Sequence, residues 1–132
     1  MKLYKYKLEI YDIEIYITFN FESNKFKKQF KNLDWSKLEF EDENNWAGIA
    51  IPELINIKSK KASFLIAFNL NSNQIKEYNN LHSIMVHECT HTTERIWNYI
   101  NEKNKGSEAN AYLNEYLFNC CIKSENKNNE LK

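Results

Sequence analysis

Apolar and polar side chains alternate along the first nineteen residues of the chain. The apolar positions are Leu3, Tyr4, Tyr6, Leu8, Ile10, Ile13, Ile15, Ile17 and Phe19. A period of two residues is typical of strands that bury one face, and the Tyr-Asp pair at residues 11–12 falls in the middle of the pattern. We therefore predict two strands joined by a tight turn.

The next segment, residues 22–33, changes to a helical period. Phe26, Phe30 and Leu33 are spaced by four and three positions, and lysines lie between them. This spacing predicts a helix that covers one face of the sheet. The polar and acidic residues 34–45 are predicted to form a loop.

Two further apolar runs, residues 46–51 and 62–68, each predict a strand. Pro52 and a cluster of lysines at positions 58, 60 and 61 separate the two runs. We interpret the lysine cluster as a solvated turn.

The rest of the chain has helical patterns. We predict a short helix near residues 73–79, a long one from about 80 to about 100, and another from Ser107, a good N-cap residue, to about Cys121. Residues 1–123 are expected to form one domain, and residues 124–132 a frayed tail. Strands first and helices last predict the α+β class, with an antiparallel or mixed sheet, a covering helix and two C-terminal helices.

The long predicted helix contains the sequence His-Glu-Cys-Thr-His at residues 87–91. Side chains four positions apart project from one face of a helix, so His87 and His91 can direct two imidazole nitrogens at one metal ion. Glu88 lies about 100° further round the helix, where its carboxylate can accept a proton from a water on that metal. This HExxH arrangement is typical of zinc hydrolases.

An alternative interpretation is an ordinary core helix that happens to carry two histidines. Apolar residues flank the motif, namely Leu81, Ile84, Met85, Ile96 and Trp97. Two unligated imidazoles on such a packed helix would need other polar partners, which favours the metal site. The third histidine, His82, is about 140° away from His87 around the helix and is not expected to be a ligand.

A catalytic zinc usually takes three ligands from the protein. The candidates for the third ligand are Glu108 and Glu115, which share one face of the last predicted helix. A tight helical hairpin centred near Asn104 would favour Glu115, whereas an extended connection between the helices could bring Glu108 to the ion. Spacing alone leaves both open. Glu94 is interpreted as a group that neighbours the site or as a surface residue, because three ligands from one straight helix do not easily converge.

Residues 81–118 resemble the small gluzincin metallopeptidases. The resemblance rests on HECTH followed 17 residues later by EANAYLNEYL, a pattern similar to the ImmA/IrrE-like peptidases and to short HExxH proteins encoded by phages and prophages. It implies a minimal zincin-like fold, Zn²⁺ as the cofactor, and Glu108 as the third metal ligand beside His87 and His91. The implied activity is hydrolysis of peptide bonds in a protein or peptide substrate.

In such an enzyme, zinc would acidify a bound water and polarise the scissile carbonyl, and Glu88 would act as the general base. Tyr112 or Tyr116 could donate a hydrogen bond to the oxyanion, although aromatic residues at helical spacing are more often core residues. Residues 62–68 form either an edge strand that binds an extended peptide or a core strand, with equal weight.

Composition narrows the classes of partner. Eighteen basic residues balance eighteen acidic ones, so the chain has no net positive charge to attract nucleic acids or membrane surfaces. No apolar segment has the length of a signal peptide core or a membrane span, and three cysteines with two adjacent suit neither a disulfide framework nor a structural zinc site. A cytoplasmic protein is expected. The rival hypotheses are a non-catalytic zincin-fold binding or assembly protein of phage origin and a nucleic-acid-associated protein.

Overall fold

The computed structural model describes residues 1–32, 46–101 and 106–131. Within these residues, a five-stranded mixed sheet is followed by two long C-terminal helices that pack on it, so the predicted α+β class is confirmed. The strands are β1 Tyr4–Leu8, β2 Ile13–Thr18, β3 Phe30–Lys31, β4 Gly48–Asn56 and β5 Ala62–Phe68, and the helices are α1 Ser23–Lys27, α2 Asn73–Lys76, α3 Leu81–Tyr99 and α4 Gly106–Glu130. No helix in the described ranges has the length and apolar character that a membrane span requires.

The strands are arranged in the order β1-β2-β5-β4-β3. β1 and β2 form the predicted antiparallel pair, joined through a 3₁₀ turn at Glu9–Tyr11, whereas β2 and β5 run parallel. β4 is antiparallel to β5, and β3 pairs only with the end of β4. Residues 62–68 are therefore a core strand, and their interpretation as an edge strand is wrong, because β2 and β4 occupy both sides of β5.

Both faces of the sheet are buried, as expected for central strands with long apolar runs. On one face, alternate residues of β2 and β5 pack against α3 and α4. This larger cluster includes Ile13, Ile15, Ile17, Phe64, Ile66, Phe68, Met85, Cys89, Ile96, Leu117 and Cys121. The opposite face carries a smaller cluster of Tyr16, Phe26, Phe30, Ile51, Leu54, Leu65 and Ala67. α3, the helix that contains the HExxH sequence, thus packs on a sheet that is buried on both faces.

The helix predicted over residues 22–33 is wrong in its extent. α1 has only five residues, and Phe30 instead enters β3 and pairs with β4. Phe26 and Phe30 are nonetheless buried, and their rings stack with centroids 4.5 Å apart. Strand pairing here overrides a local helical period, which is only a weak preference. Leu33 and the loop predicted at 34–45 lie outside the described residues.

β4 is longer than the strand predicted at residues 46–51. It continues past Pro52 because a bulge interrupts the pairing register between Ile51 and Leu54. Glu53, inside the bulge, has a φ of 55°. A proline has no N–H to donate to a neighbouring strand, and a bulge is one of the few places in a sheet that tolerates it.

A buried carboxylate joins β2 to the turn between β4 and β5. Glu14 is 3% exposed; it accepts hydrogen bonds from Tyr16 Oη at 2.6 Å and from Ser59 Oγ, and it lies 2.7 Å from Lys5 Nζ. Burial raises the pKa of Glu14, but the hydrogen bonds from Lys5, Ser59 and Tyr16 outweigh burial and hold the pKa below its usual value. The ionised carboxylate is therefore the form that stabilises the fold.

The C-terminal helix is longer than predicted. α4 continues to Glu130, whereas the sequence predicts a frayed tail from residue 124. Tyr6 Oη lies 2.9 Å from Ser124 Oγ, and Tyr4 Oη donates to Asn128 Oδ1 at 3.3 Å. These contacts hold the last turns of α4 against β1, which the polar composition of the tail alone does not reveal.

The three cysteines are free thiols buried where α3 meets α4. The Sγ atoms of Cys89 and Cys121 lie 3.6 Å apart. Burial raises the pKa of Cys120 to about 11, and the contact with Cys89, followed by burial, raises the pKa of Cys121. Protonated, enclosed thiols are poor nucleophiles, so these side chains act as core residues.

Candidate metal centre

The two histidines of the motif converge on an exposed face of α3. His87 Nε2 and His91 Nε2 lie 3.1 Å apart, and the two rings meet edge to face with centroids 4.6 Å apart. Both side chains are exposed. The expected i, i+4 arrangement is therefore realised with the two ring nitrogens pointing at one another, instead of at separate partners.

The spacing of these nitrogens suits a shared metal ion. With Zn–N bonds of about 2.0–2.1 Å and a tetrahedral angle between them, two imidazole ligands place their nitrogens about 3.3 Å apart. The 3.1 Å between His87 Nε2 and His91 Nε2 is close to that value. Imidazole nitrogens are also among the ligands that zinc prefers. The donor set of this face therefore fits zinc.

Glu88 faces the sheet, beside the histidine pair. It is 8% exposed and lies against β4 at Gly48. A Cβ at position 48 would lie 2.7 Å from Ile84 Cγ2 and 2.9 Å from Glu88 Cγ, so only glycine lets the strand backbone approach this closely. Burial raises the pKa of Glu88, and the charges of His87, His91 and Arg95 offset only part of that effect. A carboxyl with a raised pKa is a better proton acceptor near neutral pH.

Arg95 joins α3 to β4 one turn beyond His91. Its Nη1 donates a hydrogen bond to the backbone oxygen of Ala50 at 2.5 Å. The side chain is half-buried and lines the same cleft as the histidines and Glu88. Sequence reasoning missed both Arg95 and Gly48. The available signal for Arg95 was its spacing of seven residues from Glu88, two turns along the same helical face.

A cleft runs between β4 and α3 past these side chains. Its larger part has a volume of about 1060 Å³ and extends from His87 along residues 48–55 to Arg95 and Tyr99. A smaller part of about 410 Å³ continues beyond His87 and Glu88 towards Gln74, Asn80 and Ser83. Because His87, Glu88 and Gly48 line both parts, the motif lies in the middle of one continuous groove.

The structure does not bring a third ligand to the histidine pair. Glu108 and Glu115 are both exposed on α4, and among the described residues no group of three His, Cys, Asp or Glu side chains is arranged to hold a metal. Two contacts show that α3 and α4 run antiparallel: Trp97 Nε1 donates to Asn110 Oδ1 at 3.1 Å, and His82 Nε2 lies 2.9 Å from Glu125 Oε1. By the spacing argument this register favours Glu115, whereas the resemblance to gluzincins favours Glu108. The choice between Glu108 and Glu115 remains a prediction.

Other candidates from the sequence fall outside the centre. His82 contacts Glu125 on α4, as its position on another helical face predicts. Tyr116 Oη donates to the backbone oxygen of Lys7 on β1 at 2.9 Å, so its proposed role as an oxyanion donor is wrong in this arrangement. Tyr112 is 66% exposed, and Glu94 is also exposed.

Comparisons with models of known protein families, with characterised proteins and with solved structures found no match for this chain.

Proposed function

We propose that the protein is a zinc-dependent metallopeptidase of a minimal zincin-like type. The observation that carries the proposal is the convergence of His87 Nε2 and His91 Nε2 to 3.1 Å beside the buried carboxylate of Glu88, in the middle of a groove.

His87 and His91 would hold the zinc, and the resemblance to gluzincins makes Glu108 the proposed third ligand, with Glu115 as the alternative. Glu108 lies in the first turn of α4, and Gly106, which opens that helix, has a φ of 69°. Zinc, when bound, supplies a Lewis acid that activates water and polarises the substrate carbonyl.

Glu88 is the proton carrier of the proposed reaction. Its carboxylate accepts a proton from the attacking water and delivers it to the amine that leaves when the peptide bond breaks. Close packing against Gly48 places the side chain on the sheet side of the cleft. Burial raises the pKa of this carboxyl, and the charge of a bound zinc would act in the opposite direction.

β4 is the proposed edge strand that binds an extended peptide substrate. Among the described residues, β3 pairs only with Ile55 and Asn56, so residues 48–54 of β4 have a strand partner on the β5 side alone. An extended peptide can bind such an edge through backbone hydrogen bonds. We therefore propose β4 for this role instead of β5, which lies inside the sheet.

Hydrolysis of a mixed synthetic peptide library, followed by mass spectrometry, tests the proposal. We expect cleavage by zinc-loaded wild type, and at least a 100-fold loss in Glu88→Gln with its zinc retained. Glu94→Gln is the matched control, because it neutralises an exposed glutamate on the same helix outside the cleft lining. Equal cleavage by wild type and a zinc-loaded Glu88→Gln variant would contradict the proposal.

A second candidate is a zincin-fold binding or assembly protein without catalysis. The observation that favours it is the missing third ligand among the described residues. Zinc binding without cleavage of any library peptide would support this alternative.

A further inference from the structure

Arg95 places a cation in the groove, beyond what the HExxH chemistry requires. It is the only arginine of the chain and lies four residues after His91 on α3. Of its five guanidinium N–H donors, one binds the Ala50 oxygen. Within the described parts of the chain, Arg95 forms no ion pair. Among the described residues its one hydrogen bond is to Ala50, although its charge also acts on Glu88, so we infer that other donors can bind a molecule in the groove.

The chemistry of these donors favours a carboxylate. A guanidinium presents paired N–H groups in a planar fork that matches the two oxygens of a carboxylate, and partial burial strengthens such a contact. Lys60 lines the same part of the groove and adds a second cation. The anionic side chains in this part of the groove are the exposed Glu53 and the buried Glu88. The Arg95 end thus differs from the opposite end, where Gln74, Asn80 and Ser83 are uncharged.

We propose that Arg95 selects substrates with an acidic side chain on the N-terminal side of the cleaved bond. This proposal rests on the peptidase function and adds to it a specificity-determining residue.

The direction of β4 decides which side of the bond Arg95 meets. Gly48 lies against Ile84 and Glu88, and Ala50, two residues later, is bound to Arg95. β4 and α3 therefore advance along the groove in the same direction. A peptide that pairs antiparallel to β4, the more stable ladder, places its N-terminal part at Arg95 and its C-terminal part near Ile84.

The helical rise decides how far from the bond the acid lies. Arg95 follows His91 by four residues and His87 by eight, which corresponds to about 6 and 12 Å along α3 at a rise of 1.5 Å per residue. An extended peptide advances about 3.4 Å per residue. With the cleaved bond opposite the histidine pair, Arg95 therefore faces a side chain about two or three residues towards the N-terminus.

A purely structural role for Arg95 makes a different prediction. If the side chain only ties α3 to β4 through Ala50, its loss weakens binding of every peptide equally. If it reads a carboxylate, its loss removes the preference for acidic peptides and leaves binding of neutral ones in place. The ratio between acidic and neutral peptides separates the two roles.

The test measures this ratio by fluorescence anisotropy, with zinc-loaded Glu88→Gln protein so that bound peptides are not cleaved. Pools of labelled decapeptides carry glutamate at one fixed position, and matching pools carry glutamine there. A third set compares free with amidated C-termini. The same measurements are made on Glu88→Gln proteins that also carry Arg95→Gln, Arg95→Lys or Lys123→Ala. Lys123→Ala is the control, because it removes an exposed cation on α4 outside the groove lining.

We expect about tenfold tighter binding of glutamate than of glutamine pools, a preference lost in Arg95→Gln, kept in part in Arg95→Lys and unchanged in Lys123→Ala. Absence of the preference, its survival in Arg95→Gln, or a preference for a free C-terminus instead would overturn the inference. Because binding is measured without cleavage, failure of the library hydrolysis with an intact preference would refute the peptidase proposal alone.

Discussion

Replacing Gly48 by alanine tests whether β4 positions Glu88. The new Cβ would lie 2.7 Å from Ile84 Cγ2 and 2.9 Å from Glu88 Cγ, roughly 1 Å closer than the usual carbon–carbon contact of about 3.5–4.0 Å. Since Gly48 lies within β4 and both Ile84 and Glu88 lie within α3, the backbones cannot move freely. The side chains of Ile84 and Glu88 are therefore both expected to shift.

The clash has two measurable consequences. Overpacking of this kind costs about 1–3 kcal/mol, and the melting temperature should fall by roughly 3–5 °C per kcal/mol. A shift of about 1 Å in the proton carrier lowers the catalytic rate by roughly 100-fold. Zinc content should not change, because the atoms nearest the new Cβ belong to Ile84 and Glu88 and not to His87 or His91.

A double variant separates the effects on Ile84 and Glu88. Ile84→Ala removes the Cγ2 atom that clashes with the new methyl group, so Gly48→Ala/Ile84→Ala should lose less stability than the two single changes together. Its activity should stay low, because the contact with Glu88 remains. Thermal unfolding and library hydrolysis measure the two effects. Full stability and full activity of Gly48→Ala would show that β4 does not hold Glu88 in place.

Three further predictions concern the fold. Glu14→Gln should cost about 1.5–3 kcal/mol at pH 7. The pKa of Glu14 is lower in the folded protein than its unfolded value of about 4.3, so the ionised carboxylate stabilises the fold above that pH, and this stabilisation is lost as the pH falls through the folded pKa. The free energies of unfolding of wild type and variant, measured by urea titration, should therefore converge in acid and not diverge. Cys120, with its pKa raised to about 11, should react with a thiol reagent only after unfolding; rapid labelling of the native protein would contradict its burial. A chain that ends at residue 123 loses the contacts of Ser124 and Asn128 with β1 and should melt several degrees lower; an unchanged melting temperature would mean that the last turns of α4 contribute nothing.

The sequence predicts the parts of this protein that depend on local spacing. The strands at the N-terminus, the two long helices and the pairing of His87 with His91 all follow from periods of two or 3.6 residues. α1 fails because Phe30 gains a strand partner in β4, a contact that no local period contains. The extra turns of α4 were missed for the same reason, since tyrosines of β1 hold them.

The candidate site shows the same division. Arg95 and Ala50 are 45 residues apart, and Gly48 and Glu88 are 40 apart, so their contacts depend on how the sheet and α3 pack. The predicted edge strand at residues 62–68 lies inside the sheet because strand order in a mixed sheet does not follow chain order. The third metal ligand is not predicted uniquely, because helix spacing allows both Glu108 and Glu115 and the choice depends on tertiary structure.

The most direct test of the proposed metal centre is the zinc content of the purified protein, measured by elemental mass spectrometry. Wild type and Glu88→Gln should carry close to one zinc per chain, and His91→Ala should carry little. Glu108→Ala should also lose zinc while Glu115→Ala keeps it, or the reverse if Glu115 is the ligand. A wild-type protein that takes up no zinc when supplied with it, or a His91→Ala variant that binds as much as wild type, would contradict the account.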